Sequence, residues 1–469
     1  MRYVSTRGDV AARGFTDVLL AGLAHDGGLY APAHYPTLDR PGIAGLAGLP
    51  YAEAAHRVIA PFIGADLPEA ALKPMLASAY GNFRHAAVAP LAQIGDNLFV
   101  LELFHGPTLA FKDVAMQLLA RLMDAALRAR VRRATILGAT SGDTGAAAIE
   151  AFRGLAQVDV FILFPHGRVS DVQRRQMTTV AAPNIHAIAV EGTFDDCQAI
   201  VKSLFNHHAF RDEVGLSGVN SINWARIVAQ VVYFFTSAAA LGAPHRPVSF
   251  TVPTGNFGDV LAGYVAKRMG LPVSRLHVAT NANDILARCL ATGSYEMHPV
   301  VPTSSPSMDI QISSNFERVL FDAHRRDASA LRGLMHNLAQ ERRFSLRPDV
   351  LAALRADFDA SATSEAETQA EMARTYKTAG YVLDPHTAVA AHAARAALKR
   401  DPATPMIVLG TAHPAKFPDA VRAATGQAPA LPPHLADLLD RHEHFDVLAN
   451  DAALVGRFIR ARASAGAPA

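Results

Sequence analysis

Short runs of β-branched and other apolar residues recur along the chain from about residue 95. They fall at 134–138 (ATILG), 158–164 (VDVFILF), 186–190 (HAIAV), 248–252 (VSFTV), 275–280 (RLHVAT) and 406–410 (MIVLG). The intervals hold helical patterns such as VAMQLLARLMDAALRA at 114–129. Strands that alternate with helices predict a parallel sheet covered on both faces. Two such blocks are visible, at 95–225 and 226–425, and the charged stretch 315–400 reads as a helical insertion in the second. Residues 1–90 form a mostly helical N-terminal region, broken by prolines at 32, 36, 41 and 50 and by a Gly27-Gly28 turn before Leu29-Tyr30. Residues 426–469 read as a helical tail with a frayed end. The expected fold class is therefore α/β, with two parallel-sheet domains and a helical N-terminal region.

Composition narrows the classes of function. Of 469 residues, 50% are hydrophobic and 18% charged, which suits a well-buried globular protein. The net charge of +2 argues against a nucleic-acid binder, so any phosphate site must be local. Cys197 and Cys289 are too far apart in sequence for a disulfide framework or zinc spacing. His207-His208 and His442-Glu443-His444 lack H-E-x-x-H spacing, and no metal is expected. The N-terminus shows no apolar leader-like run, and a reduced, cytoplasmic setting is expected. The longest uncharged stretch, 227–244, is marginal for a membrane span and reads as a buried helix.

Candidate chemistry lies at strand ends, where parallel sheets place ligands. After 134–138 comes ATSGDTGAAAIEAF, in which Gly142 and Gly145 would let a ligand approach the backbone. Ser141, Asp143 and Thr144 supply side-chain donors and acceptors. Alone, this loop reads better as a capped helix start. After VSFTV comes PTGNFGDVLAGYVAKRMGLP. Here Gly255, Asn256, Phe257, Gly258 and Asp259 would cradle a phosphate with main-chain N–H groups. The dipeptide Gly-Lys is absent, so this is no nucleotide P-loop. After MIVLG, Thr411 opens TAHPAKF, which could also be a plain turn. A fourth element, FHGPTLAFKDVAMQ, puts Lys112 at a helix start, with 114, 118, 119, 122 and 126 as the buried face. The helix dipole disfavours a cation there and favours the neutral, nucleophilic amine. A solvated surface lysine is the alternative.

In this order, the segments FHGPTLAFKD, ATSGDTG, GNFGD and GTAHPAKF resemble the threonine synthase family, in its long bacterial and fungal branch. The resemblance runs from Gly27-Gly28-Leu29-Tyr30 to Phe417. It implies the tryptophan-synthase-β-like fold, type II among pyridoxal-phosphate (PLP) enzymes. It also implies PLP as cofactor, with Lys112 as the Schiff-base lysine. By the same resemblance, Gly255–Asp259 hold the cofactor phosphate, Thr411 bonds the pyridine nitrogen, and Asp143 lies beside the ring where many relatives carry Asn. The implied reaction converts O-phospho-L-homoserine and water to L-threonine and phosphate, the last step of threonine biosynthesis. Lys112, once displaced, would serve as proton carrier. The substrate phosphate needs its own grip, for which Arg226, Lys416 and His105 are candidates, and Ser141 and Thr144 are candidates for substrate binding. His386 and His413 are weaker candidates, since buried turn histidines are common. The expected partner is this small molecule, with no nucleic acid and no membrane, for a monomer or small homo-oligomer. Alternatives are a phospholyase that makes 2-oxobutanoate, a serine or threonine dehydratase, and an inactive PLP-binding regulator.

Overall fold

The computed structural model describes residues 1–9, 11–218 and 220–464. The six expected strands are all present, and they sort into two sheets. The first runs Phe358–Ala362, Val273–Thr280, Val248–Pro253, Met406–Gly410, Leu98–Glu102, Leu91–Gly95. It is parallel except for the last pair, a hairpin. The second runs Asp446–Ala449, Ile185–Glu191, Val158–Pro165, Ala134–Ala139, Leu216–Ser217 and is parallel throughout. Every residue of Val158–Pro165 is buried. This is why the run is continuously apolar rather than alternating.

Three expectations change. The blocks are not separated at residue 225, because Leu98–Glu102 pairs with Met406–Gly410. The stretch 315–400 is not a helical insertion alone: Phe358–Ala362 is an edge strand of the six-stranded sheet. It is only half-buried and carries no apolar run (FDASA), so its pattern gives little strand signal. The tail likewise contributes an exposed edge strand, Asp446–Ala449, before its helix Ala452–Arg460.

The N-terminal region is part of the main core rather than an appendage. Helix Tyr51–Ile63 packs on Trp224–Ala240, and Glu69–Tyr80 packs on Lys112–Ala129. Strands Tyr3–Ser5 and Tyr30–Pro32 pair antiparallel. Lys112–Ala129 is buried on nearly every side, well beyond the single face expected. Trp224–Ala240, which covers most of the uncharged stretch, is a buried helix as expected. No helix among the described residues is long and apolar enough to cross a membrane.

Candidate active site

Lys112 opens the helix Lys112–Ala129 and is buried. Main-chain bonds fix the turn before it to the end of strand Met406–Gly410. The Phe111 N–H donates to the Thr411 carbonyl (2.8 Å) and the His413 N–H to the Leu109 carbonyl (3.0 Å). Asp113 holds the turn from the other side, accepting from the Thr108 hydroxyl (2.6 Å) and N–H (2.8 Å). Burial lowers the basicity of Lys112; Asp143 opposes this, and the nearby Lys416 and Arg226 charges reinforce it.

Asp143 links the two sheets. It begins helix Asp143–Phe152, beyond the end of Ala134–Ala139. Its carboxylate lies 3.5 Å from Lys112 Nζ and 2.8 Å from Lys416 Nζ, and it accepts from Gln173 Nε2 at 2.8 Å. Burial alone would raise its pKa. The charges of Lys416 and Lys112, with the bonds from Lys416 and Gln173, outweigh burial and hold the carboxyl well below its usual range. Thus the first loop meets Lys112 at the carboxyl ends of both sheets.

The Gly255–Asp259 loop follows Val248–Pro253 and leads into helix Gly258–Arg268. Its carbonyls are tied outward: Ser313 Oγ donates to Gly255 O (2.6 Å), and the Asn315 N–H and Nδ2 donate to Asn256 O (both 3.1 Å). Phe257 is left-handed (φ 63°), held by burial against Phe316 and Phe358. Among the described residues, no acceptor takes the N–H groups of Asn256, Phe257 or Gly258. Arg226, in the first turn of Trp224–Ala240, is buried with Nε and Nη1 unpartnered; burial pushes its pKa down to about 10. Gln230 Oε1 and Asp259 Oδ2 are also buried without partners. Buried orphan groups of this kind are rare and suit a bound polar molecule. The free loop N–H groups, a depressed lysine and an unpaired guanidinium fit an aldehyde-bearing phosphate.

Comparison with known proteins agrees with this geometry. The families described as Threonine synthase N terminus, Pyridoxal-phosphate dependent enzyme and Threonine synthase, C-terminal match residues 2–80, 84–410 and 387–459. The chain is 53% identical over 469 residues to a threonine synthase of Pseudomonas aeruginosa, covering 100% of both chains. The chain belongs to the threonine synthase family. A crystal structure of PLP-bound threonine synthase from Brucella melitensis is similar at TM-score 0.97 and 58% identity, covering 99% of this chain and 100% of that one. Yeast threonine synthase is similar at TM-score 0.94 and 38% identity, covering 98% of each. This threonine synthase family member is a PLP-dependent lyase with the type II fold.

The remaining sequence candidates divide. Lys416, suggested for the substrate phosphate, is fully buried; its ammonium is engaged by Asp143 and by the Thr108 carbonyl (2.7 Å). His105 Nε2–H donates to Glu102 (2.7 Å), whose other oxygen accepts from the Tyr381 hydroxyl (2.7 Å). His413 caps its turn by accepting from the Ala415 N–H (3.1 Å), and burial drops its pKa to about 4. His386 is bonded through both ring nitrogens. Ser141 is exposed and Thr144 half-buried. At Gly142 and Gly145 the side-chain direction is filled by the protein itself. A Cβ at Gly142 would lie 2.5 Å from Gln173 Cδ, and one at Gly145 2.5 Å from Thr140 Cγ2. Asp259 is also unlike a plain phosphate ligand: its carboxyl accepts from the Tyr233 hydroxyl, and burial pushes its pKa up to about 7. Sequence reading missed Gln173, Thr140, Ser313, Asn315 and Tyr233. Thr140 accepts from the Gly142 and Gly145 N–H groups (3.0 and 2.9 Å), and its place before the SGDTG loop was the available signal. The others come from distant elements and carry no local mark.

Proposed function

We propose that the chain converts O-phospho-L-homoserine and water into L-threonine and phosphate, with PLP carried on Lys112. The observation that carries this reading is the buried Lys112, depressed in basicity and facing Asp143 beside an orphaned Arg226. Once bound, PLP would withdraw electrons from the amino-acid carbons attached to it. Lys112 Nζ, neutral more readily than an exposed lysine, would tether the cofactor and, once released, would take and return protons at the substrate carbons. The N–H groups of Asn256, Phe257 and Gly258 would hold the cofactor phosphate, with the positive end of helix Gly258–Arg268 behind them. Thr411 would serve the ring nitrogen, and Asp143 would serve the ring. Arg226 grips the phosphate that leaves, since a buried guanidinium with two open N–H positions needs an anion. Lys416 serves Asp143 rather than a phosphate, and His105 serves Glu102. Ser141 and Thr144 offer hydroxyls to the substrate. We place the enzyme in the cytoplasm as a monomer or small homo-oligomer; its two cysteines, both free and buried, support a reducing compartment.

Product analysis with purified protein and O-phosphohomoserine tests the reaction. Threonine and phosphate in equal amounts are expected. With 2-oxobutanoate as the main product the chain is a phospholyase, and turnover of threonine instead of its phosphorylated precursor makes it a dehydratase. Lys112→Ala should lose both turnover and the visible absorption of bound PLP. A variant that keeps wild-type activity removes Lys112 from the mechanism.

A further inference from the structure

Asp384 carries none of the expected roles, yet it is a fully buried carboxylate without a Lys or Arg partner among the described residues. It is the N-cap of helix Pro385–Leu398 and accepts from the His386 N–H (2.9 Å) and Thr387 N–H (3.3 Å). Capping accounts for those two bonds only. Two further donors reach it: His386 Nδ1–H (2.9 Å) and the Thr387 hydroxyl. Each of these side chains passes the contact on. A carboxylate can only accept, so the His386 proton sits on Nδ1, and Nε2 is free to accept from the Ser307 N–H (3.2 Å). Ser307 in turn backs the GNFGD loop: its carbonyl lies 2.9 Å from where a Cβ on Gly255 would be. On the other side, Thr387 Oγ1 accepts from the Thr411 N–H (3.3 Å).

We propose that Asp384 is a positioning residue that couples the Thr411 end and the Gly255 loop end of the site. It sets Thr411 through Thr387, and it sets the loop through His386 and Ser307. This rests on the cofactor roles proposed for Thr411 and the loop. A carboxylate suits the task because four donors converge on its two oxygens, and an amide would present N–H groups to one of them.

The test uses the full-length enzyme, stripped of PLP and titrated with it. The readouts are the PLP dissociation constant from quenching of the single tryptophan, the position of the visible band, kcat, and the thermal midpoint. His386→Leu should weaken PLP binding by about 10–100-fold, the loss typical when contacts behind a ligating group are removed, and leave the band in place. His386→Gln, which can still accept from Ser307, should recover part of that loss. Thr387→Val should shift the band and lower kcat with little change in PLP affinity. Asp384→Asn should do both. An Asp384→Asn protein that melts earlier but keeps wild-type affinity and band would overturn the coupling. If that variant does not fold, unchanged affinity and band in both His386→Leu and Thr387→Val overturn it instead. Wild-type binding and turnover in the same titration separate failure of the coupling from failure of the proposed function.

Discussion

Asp143 sits between two buried ammonium groups, and burial sharpens the consequence of removing either. Lys416 is the closer and the less exposed of the pair, so Lys416→Met leaves the carboxylate with the 3.5 Å contact to Lys112 as its remaining ion pair, beside the neutral bond from Gln173. Breaking a buried pair from one side costs about 3–5 kcal/mol, whereas removing both charges costs less. Denaturant unfolding should therefore show Lys416→Met well below wild type and Asp143→Asn/Lys416→Met partly restored. A double variant no better than the single would mean that the pair is not coupled. The sign of the pH effect follows from the depressed Asp143 pKa. Its stabilising contribution is complete above the unfolded value of 3.8 and is lost as pH falls through the folded one. The advantage of wild type over Asp143→Asn should shrink on acidification below about pH 4 and stay constant above it.

Among the elements, the helix that begins at Asp143 shows what its glycines are for. Gly145 lies against strand Val158–Pro165 and helix Asp171–Thr178. A Cβ there would come within 2.8 Å of Ile162 Cγ2 and 2.9 Å of Met177 Sδ as well as Thr140. These are buried neighbours with little room to shift, so Gly145→Ala should cost about 1–3 kcal/mol through overpacking. The urea midpoint measures it, and an unchanged midpoint would show that the helix can move away from the sheet. Close helix–sheet packing brings the loop at 140–144 near Lys416 and Lys112. The glycine acts on the site through that approach.

In the whole molecule, Arg318 binds distant segments together: it donates to the carbonyls of Tyr30 (2.7 Å) and Ile222 (2.6 Å) and to Asn315, which holds the GNFGD loop. The cysteines report on the same body. Cys197 and Cys289 lie in different parts of the fold, both inaccessible, and burial pushes their thiols up to about 11 and 12. A thiol reagent should label neither in native buffer and both on unfolding; fast stoichiometric labelling of folded protein would show that one site opens. The strand-and-helix alternation, the strand-end loops and Lys112 at a helix start were determined by the sequence itself. Each is local, written in apolar runs, small residues and caps. The tertiary structure alone decided which sheet each strand joins, because edge strands such as Phe358–Ala362 lack an apolar pattern. It also decided that Lys416 neutralises Asp143, that Arg226 is left with open donors, and that Gly145 receives a side chain of the protein. These facts depend on which residues meet across long sequence separations, and burial then determines the cost of each charge and each added methyl group.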